Sequence, residues 1–155
     1  MARSSSRART ARTLGLVSIL IGLLMVLAGG VTWGMVSAKL AAENITVSKD
    51  APMFAGAKVT GPLEAFVQAD VIAGHALKAT GGKSYAELAQ DDPLRQTAMT
   101  ASFLRSSLFT SVIAFGVALF AIGVGVLGIV LGWGLRSVAS GSVEDVAEAR
   151  APAAA

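Results

Sequence analysis

Two charge-free apolar stretches, residues 13–38 and 106–135, constrain this chain more than any other feature. They hold 26 and 30 residues, whereas a hydrocarbon core of about 30 Å needs only about 20 in a helix. Each run is long enough to cross a bilayer once. Hydrocarbon offers no partners to backbone N–H and C=O groups, so a spanning segment must satisfy them internally, as a helix does. The expected fold is all-α, a two-helix transmembrane hairpin with a small, mostly helical extracytoplasmic insert. Its segments are a basic cytoplasmic tail (1–12), transmembrane helix 1 (13–38), an extracytoplasmic helical region (39–105), transmembrane helix 2 (106–135) and a disordered cytoplasmic tail (136–155).

Charge sets the expected orientation. Arg3, Arg7, Arg9 and Arg12 give the leading tail +4 with no acid, while region 39–105 balances seven bases against seven acids. Arg and Lys resist translocation, which keeps both termini cytoplasmic and puts the insert outside the plasma membrane. Clustered Arg also attracts nucleic acid, but no base-reading module follows the tail, so its reading is topogenic or lipid-binding. The chain has no cysteine, which excludes disulfide frameworks, iron–sulfur clusters and thiolate zinc sites. Val36-Ser37-Ala38 before Lys39 has the small-residue pattern of a signal-peptide cleavage site. An h-region usually runs roughly 7–15 residues, so the length of this stretch favours a retained span.

Helices associate in lipid through small residues that let backbones approach. In the second run Ser107, Ala114, Ala118, Ala121, Gly125, Gly128 and Gly132 fall on one narrow arc at about 100° per residue. The first run spaces Gly15, Gly22 and Gly29 seven apart and adds a GxxxG at Gly30 and Gly34. These residues, Ser107 and the Gly30–Gly34 pair aside, are the candidate helix-contact set, expected to pack the two spans against each other. Trp33 and Trp133 read as interfacial anchors.

The 67-residue insert is near the lower limit for an independent core, so it is expected to lean on the membrane helices, a second copy or another protein. Residues 45–48 read as extended chain. Pro62 suits the first turn of a helix reaching about Thr80, with Gly81-Gly82 ending it. Leu63, Phe66, Val67 and Leu77 share a face of that helix, and Asp70 lies at its centre. These five are the candidate partner-contact residues. Covering an unpaired carboxylate is costly, so either the face is partly exposed or Asp70 pairs with a base. Ser84 and Glu87 have capping-box spacing for a short helix. Asp92-Pro93 reads as N-cap and N1 of a third helix running into the second span.

No ionisable residue lies within either apolar run, which disfavours a pump or transporter. Gly82-Lys83-Ser84 fails as a phosphate loop, because Leu77 stands where the motif needs glycine. His75, the only histidine, is five residues from Asp70, about 140° around a helix, so the two do not share a site. No catalytic, cofactor or metal-ligating set is expected, and the chain reads as a non-enzyme.

Val47-Ser-Lys-Asp-Ala51, Gln68-Ala-Asp-Val-Ile72, Thr80-Gly-Gly-Lys-Ser-Tyr-Ala-Glu-Leu88, Asp92-Pro-Leu-Arg95 and Ala101-Ser-Phe-Leu-Arg-Ser-Ser-Leu-Phe-Thr-Ser111 resemble a family of small actinobacterial two-span membrane proteins of unestablished function. Members often carry the automatic label aromatic ring-opening dioxygenase. That label implies extradiol chemistry at Fe(II) held by two histidines and a carboxylate. One histidine per chain cannot supply such a triad without sharing a site between copies.

These readings favour an integral plasma-membrane protein acting by contact, either an accessory or assembly subunit of a larger membrane complex or a homo-oligomer. The partners expected are the lipid bilayer and a membrane protein or second copy, not nucleic acid. The alternative is an extracytoplasmic sensor or ligand-binding protein anchored by one or two spans, with the 62–80 helix as its recognition surface. Against it, the last 20 residues carry no recognisable signalling domain.

Overall fold

The computed structural model describes the backbone of residues 2–148 and the side chains of residues 8–140. Three helices account for its regular structure: α1 (Ala2–Ala42), α2 (Pro62–Ala79) and α3 (Arg95–Glu148). The described fold is all-helical. α1 and α3 contain the segments Ala8–Ala42 and Arg95–Ser140, each long and apolar enough to cross a membrane, with mean hydropathies of 2.5 and 2.6.

Both long helices outrun their apolar segments. α1 is already helical through most of the basic tail, and α3 continues through 136–148, where a disordered tail was expected. Extending an existing helix requires no new nucleus, and the Ala, Arg and Glu of 136–148 are good helix formers. The final Ala-Pro-Ala-Ala-Ala, also expected to be disordered, lies outside the described residues.

The chain divides into two compact units. The first pairs α1 up to Gly30 with α3 from Leu119 onward. The second, Val31–Ala118, contains the insert together with the adjoining portions of α1 and α3. Its core gathers Leu40 of α1, Val47 and Val59 of the following loop, Ala65 and Ala69 of α2, and Leu108 and Phe115 of α3. The insert thus builds its core partly from residues of the two long helices.

Local chemistry explains the loop and α2. Asn44 sits in the left-handed region (φ 52°), which asparagine tolerates, and its N–H donates to Ala41 O as α1 ends. Residues 45–47 and 57–59 then pair antiparallel: Val47 N–H donates to Ala57 O and Val59 N–H to Ile45 O, both at 2.9 Å. This buries Val47 and Val59 almost completely. Gly61 is the N-cap of α2, with Pro62 at the start where its missing N–H costs nothing. At the other end Gly82 N–H donates to Leu77 O (2.7 Å) and Gly81 N–H to Lys78 O (3.4 Å), a Schellman motif. It requires positive φ at C′, here Gly81 at 66°.

The short helix expected from Ser84 forms only a turn. Glu87 accepts hydrogen bonds from the Ser84 backbone N–H and hydroxyl, both at 2.7 Å, so only the glutamate half of the capping box forms, with no helix to cap. Those bonds hold the Glu87 carboxyl below its usual range. Pro93 disfavours helical geometry at Asp92, which keeps this turn from running on into α3. Asp92 makes an Asx turn just ahead of α3, its carboxylate accepting from Leu94 N–H at 2.8 Å, and the helix begins at Arg95, two residues beyond the Pro93 start expected for an N-cap at Asp92.

Candidate functional site

In the first unit the glycines of the two small-residue stripes face each other. A Cβ on Gly15 would lie 2.6 Å from Gly132 O, and one on Gly132 would lie 2.5 Å from Gly15 O. Gly22 and Gly125 meet in the same reciprocal way. Seven residues forward along α1 matches seven backward along α3, so the pairing is antiparallel with a heptad step. Ser18, between the two α1 glycines, donates its hydroxyl to Gly128 O at 2.8 Å. Backbones this close leave no room for any side chain, which is the physical use of glycine here.

The remaining stripe positions behave differently. Gly29 is buried in the first unit, Gly128 and Ala121 are half-buried there, and Ala118 is buried in the second. Ala114 and Ser107 line a groove instead of a helix seam. Around Gly30 and Gly34 there is nothing within 4 Å of a built Cβ, so that GxxxG makes no close contact. Ser18 is three residues from Gly15 and four from Gly22, which puts it on their face, although a seven-residue glycine spacing does not by itself point to it.

The tryptophans also separate. Trp133 is 71% exposed, as an outward-facing anchor would be. Trp33 instead packs edge-on against Phe115, with ring centroids 4.7 Å apart, a half-buried residue set against the core of the second unit.

α2 buries its small side. Ala65, Gln68 and Ala69 are covered, and Gln68 Oε1 accepts from Ser48 N–H at 2.9 Å. Leu63 (63% exposed), Phe66 (51%) and Leu77 (43%) remain accessible, Val67 is half-buried, and Asp70 is exposed. Partial exposure therefore answers the question posed by Asp70. Phe66 contacts Phe109 of α3 edge-on, centroids 5.7 Å apart, and Arg105 lies over the Phe109 ring at 5.3 Å.

The second unit also holds a mainly apolar groove of about 690 Å³. Val36 and Leu40 form its α1 wall, Leu104 and Leu108 its α3 wall. Lys39 and Glu43 stand along it one helical turn apart, and Ser107, Thr110 and Ser111 add hydroxyls. The Thr110 and Ser111 hydroxyls donate to their own helix, at Ser106 O and Ser107 O. Nothing in the one-dimensional pattern announced this groove, since its walls come from three helices and a loop.

His75 has a partner that sequence spacing did not indicate. Its Nε2 lies 2.6 Å from Asp50 Oδ2, tying the 43–61 loop to α2. The hydrogen bond from His75, and secondarily one from its own backbone, holds the Asp50 carboxyl below its usual range. Both side chains are about half exposed. No group of three His, Cys, Asp or Glu capable of holding a metal occurs among the described residues. One histidine and one carboxylate do not fit the two-histidine iron site implied by the dioxygenase label.

No protein-family model, no curated protein and no solved structure matches this chain.

Proposed function

We propose that this protein is an integral membrane hairpin of the plasma membrane, with both termini cytoplasmic and the insert outside, acting by protein contact instead of catalysis. The observation that carries the membrane reading is the outward direction of its apolar side chains. Leu24 (67% exposed), Phe120 (71%) and Leu131 (65%) point away from the protein, and only 17% of the most apolar window of either span is buried. A soluble core helix would hide that surface, and water would penalise a continuous apolar exposure of this extent. Lipid is the solvent that suits it. Arg12 and Arg136 flank one end of the apolar runs and Lys39 and Arg105 the other, which suits charge kept at two interfaces.

The facing glycines are consumed within one chain, so a partner would use another surface. Leu63, Phe66 and Leu77 on α2 supply one, large and apolar with Asp70 among them. An accessory or assembly role, or self-association, would rest on that face.

The absence of cysteine makes single-cysteine labelling clean. Lys49→Cys is expected to react with an impermeant maleimide in intact cells, and Ser137→Cys only after lysis. The reverse pattern would overturn the orientation. For the contact role, gentle pull-down of the tagged full-length chain should bring down stoichiometric membrane partners or further copies. Loss of those chains with Leu63→Ser and Leu77→Ser is the expected result, and recovery of a bare monomer from wild type would count against it.

A further inference from the structure

We infer that the groove of the second unit is a binding site for one phospholipid with an ammonium headgroup, of the phosphatidylethanolamine class. This rests on the membrane reading above. At about 690 Å³ the groove lies within the roughly 300–1,000 Å³ of small-molecule sites and, like them, is mainly apolar with a few polar groups. Its composition changes along its length in the way a lipid does. Val36, Ala114 and Leu108 belong to the two apolar helices, at a depth that suits an acyl chain. Lys39 is the first charge after the apolar run of α1 and Glu43 follows one turn later, about 6 Å along the axis.

Those two charges select the headgroup. Among the described residues neither side chain makes an ion pair or side-chain hydrogen bond, although both line the groove. A phosphate linked through two carbons to a primary ammonium presents complementary charges over a similar distance. Lys39 takes the phosphate, and Glu43 accepts from the ammonium N–H groups. Ser107, whose hydroxyl makes no hydrogen bond among the described residues, lines the groove where it can donate to an ester carbonyl. Phosphatidylglycerol would leave the Glu43 carboxylate beside an anionic lipid with no cation to meet it. Phosphatidylcholine carries the cation but no N–H to donate, so both are rejected by the group that accepts ethanolamine.

The test uses the full-length chain reconstituted in vesicles of phosphatidylethanolamine, phosphatidylcholine and phosphatidylglycerol in equal amounts. After extraction in mild detergent, native mass spectrometry counts the lipids each chain retains. One phosphatidylethanolamine per chain is expected, enriched about tenfold over the other two, the effect of one charge-assisted hydrogen bond. Glu43→Gln, an exposed substitution that leaves the core untouched, is expected to weaken that enrichment, since the amide oxygen still accepts but carries no charge. Ala114→Trp, which fills the groove, should remove the bound lipid while helical content stays at the wild-type level. Equal retention of the three lipids by wild type, or unchanged enrichment in Glu43→Gln, would overturn the proposal. Insertion into vesicles without a retained lipid defeats the groove alone, whereas failure to insert defeats the membrane reading as well.

Discussion

Gly22 of α1 and Gly125 of α3 face each other so closely that a Cβ on either would run into the carbonyl oxygen of the other. The obstruction is backbone, which cannot rotate aside as a flexible side chain would. Gly22→Ala or Gly125→Ala is therefore expected to destabilise the hairpin by about 1–3 kcal/mol, the usual cost of overpacking. Gly34→Ala, where nothing lies within 4 Å, serves as the matched control and should be neutral. Unfolding of the full-length protein in mixed micelles compares them, and equal losses at Gly22 and Gly34 would contradict the pairing.

Ser18 adds a directional bond to that contact. Its donation to Gly128 O links α1 to α3 at 2.8 Å. Interhelical hydrogen bonds in membranes average about 0.6 kcal/mol and reach about 1.7. Ser18→Ala should lose an amount in that range, while Ser18→Val should lose more, because its added bulk enters the close approach. The same micelle unfolding experiment reads both.

Phe115 is 1% exposed and meets Trp33 in an edge-on pair. Removing a buried aromatic ring costs about 3–5 kcal/mol. Phe115→Ala is expected to destabilise the second unit by that order. In a Trp133→Phe background, Trp33 is the sole tryptophan, so its emission should move to longer wavelength as the Phe115 ring is lost. Trp133→Phe by itself should change stability little, since that ring is largely exposed.

The Asp50–His75 contact links loop 43–61 to stability at low pH. Asp50 has a folded-state pKa below its ordinary 3.8, chiefly through the hydrogen bond with His75. A depressed carboxylate stabilises the folded state fully above the unfolded value, and the contribution disappears as pH falls through the lower folded value. The thermal midpoint should therefore drop below about pH 4, and Asp50→Asn should flatten that part of the profile. Both groups are solvent-accessible, so added salt should diminish the difference. An identical acid limb in wild type and Asp50→Asn would remove this contact from the account.

Much of the architecture was legible because it depends on a residue and its near neighbours. The length and apolarity of 13–38 and 106–135 require long helices, Pro62 and Gly81-Gly82 bracket α2, and Asp92-Pro93 marks the turn that leads into α3. Helical periodicity likewise assigns residues to faces, which is why Gly15, Gly22, Gly125 and Gly132 could be singled out before any contact was known. Neighbour rules failed where a short segment depended on its surroundings. Glu87 makes its half of the capping box with Ser84, yet the turn beyond them does not propagate into a helix.

Tertiary structure alone decided which faces meet. Helix rotation and register put Gly22 against Gly125 while leaving Gly34 open, though both glycines belong to plausible contact motifs. It brought Asp50 to His75 across 25 residues, turned Trp33 inward toward Phe115, and enclosed the groove between α1 and α3. Composition and spacing act within one helix or turn. Such pairings are set by how separate elements pack, where a rotation of some 100° exchanges one helix face for another.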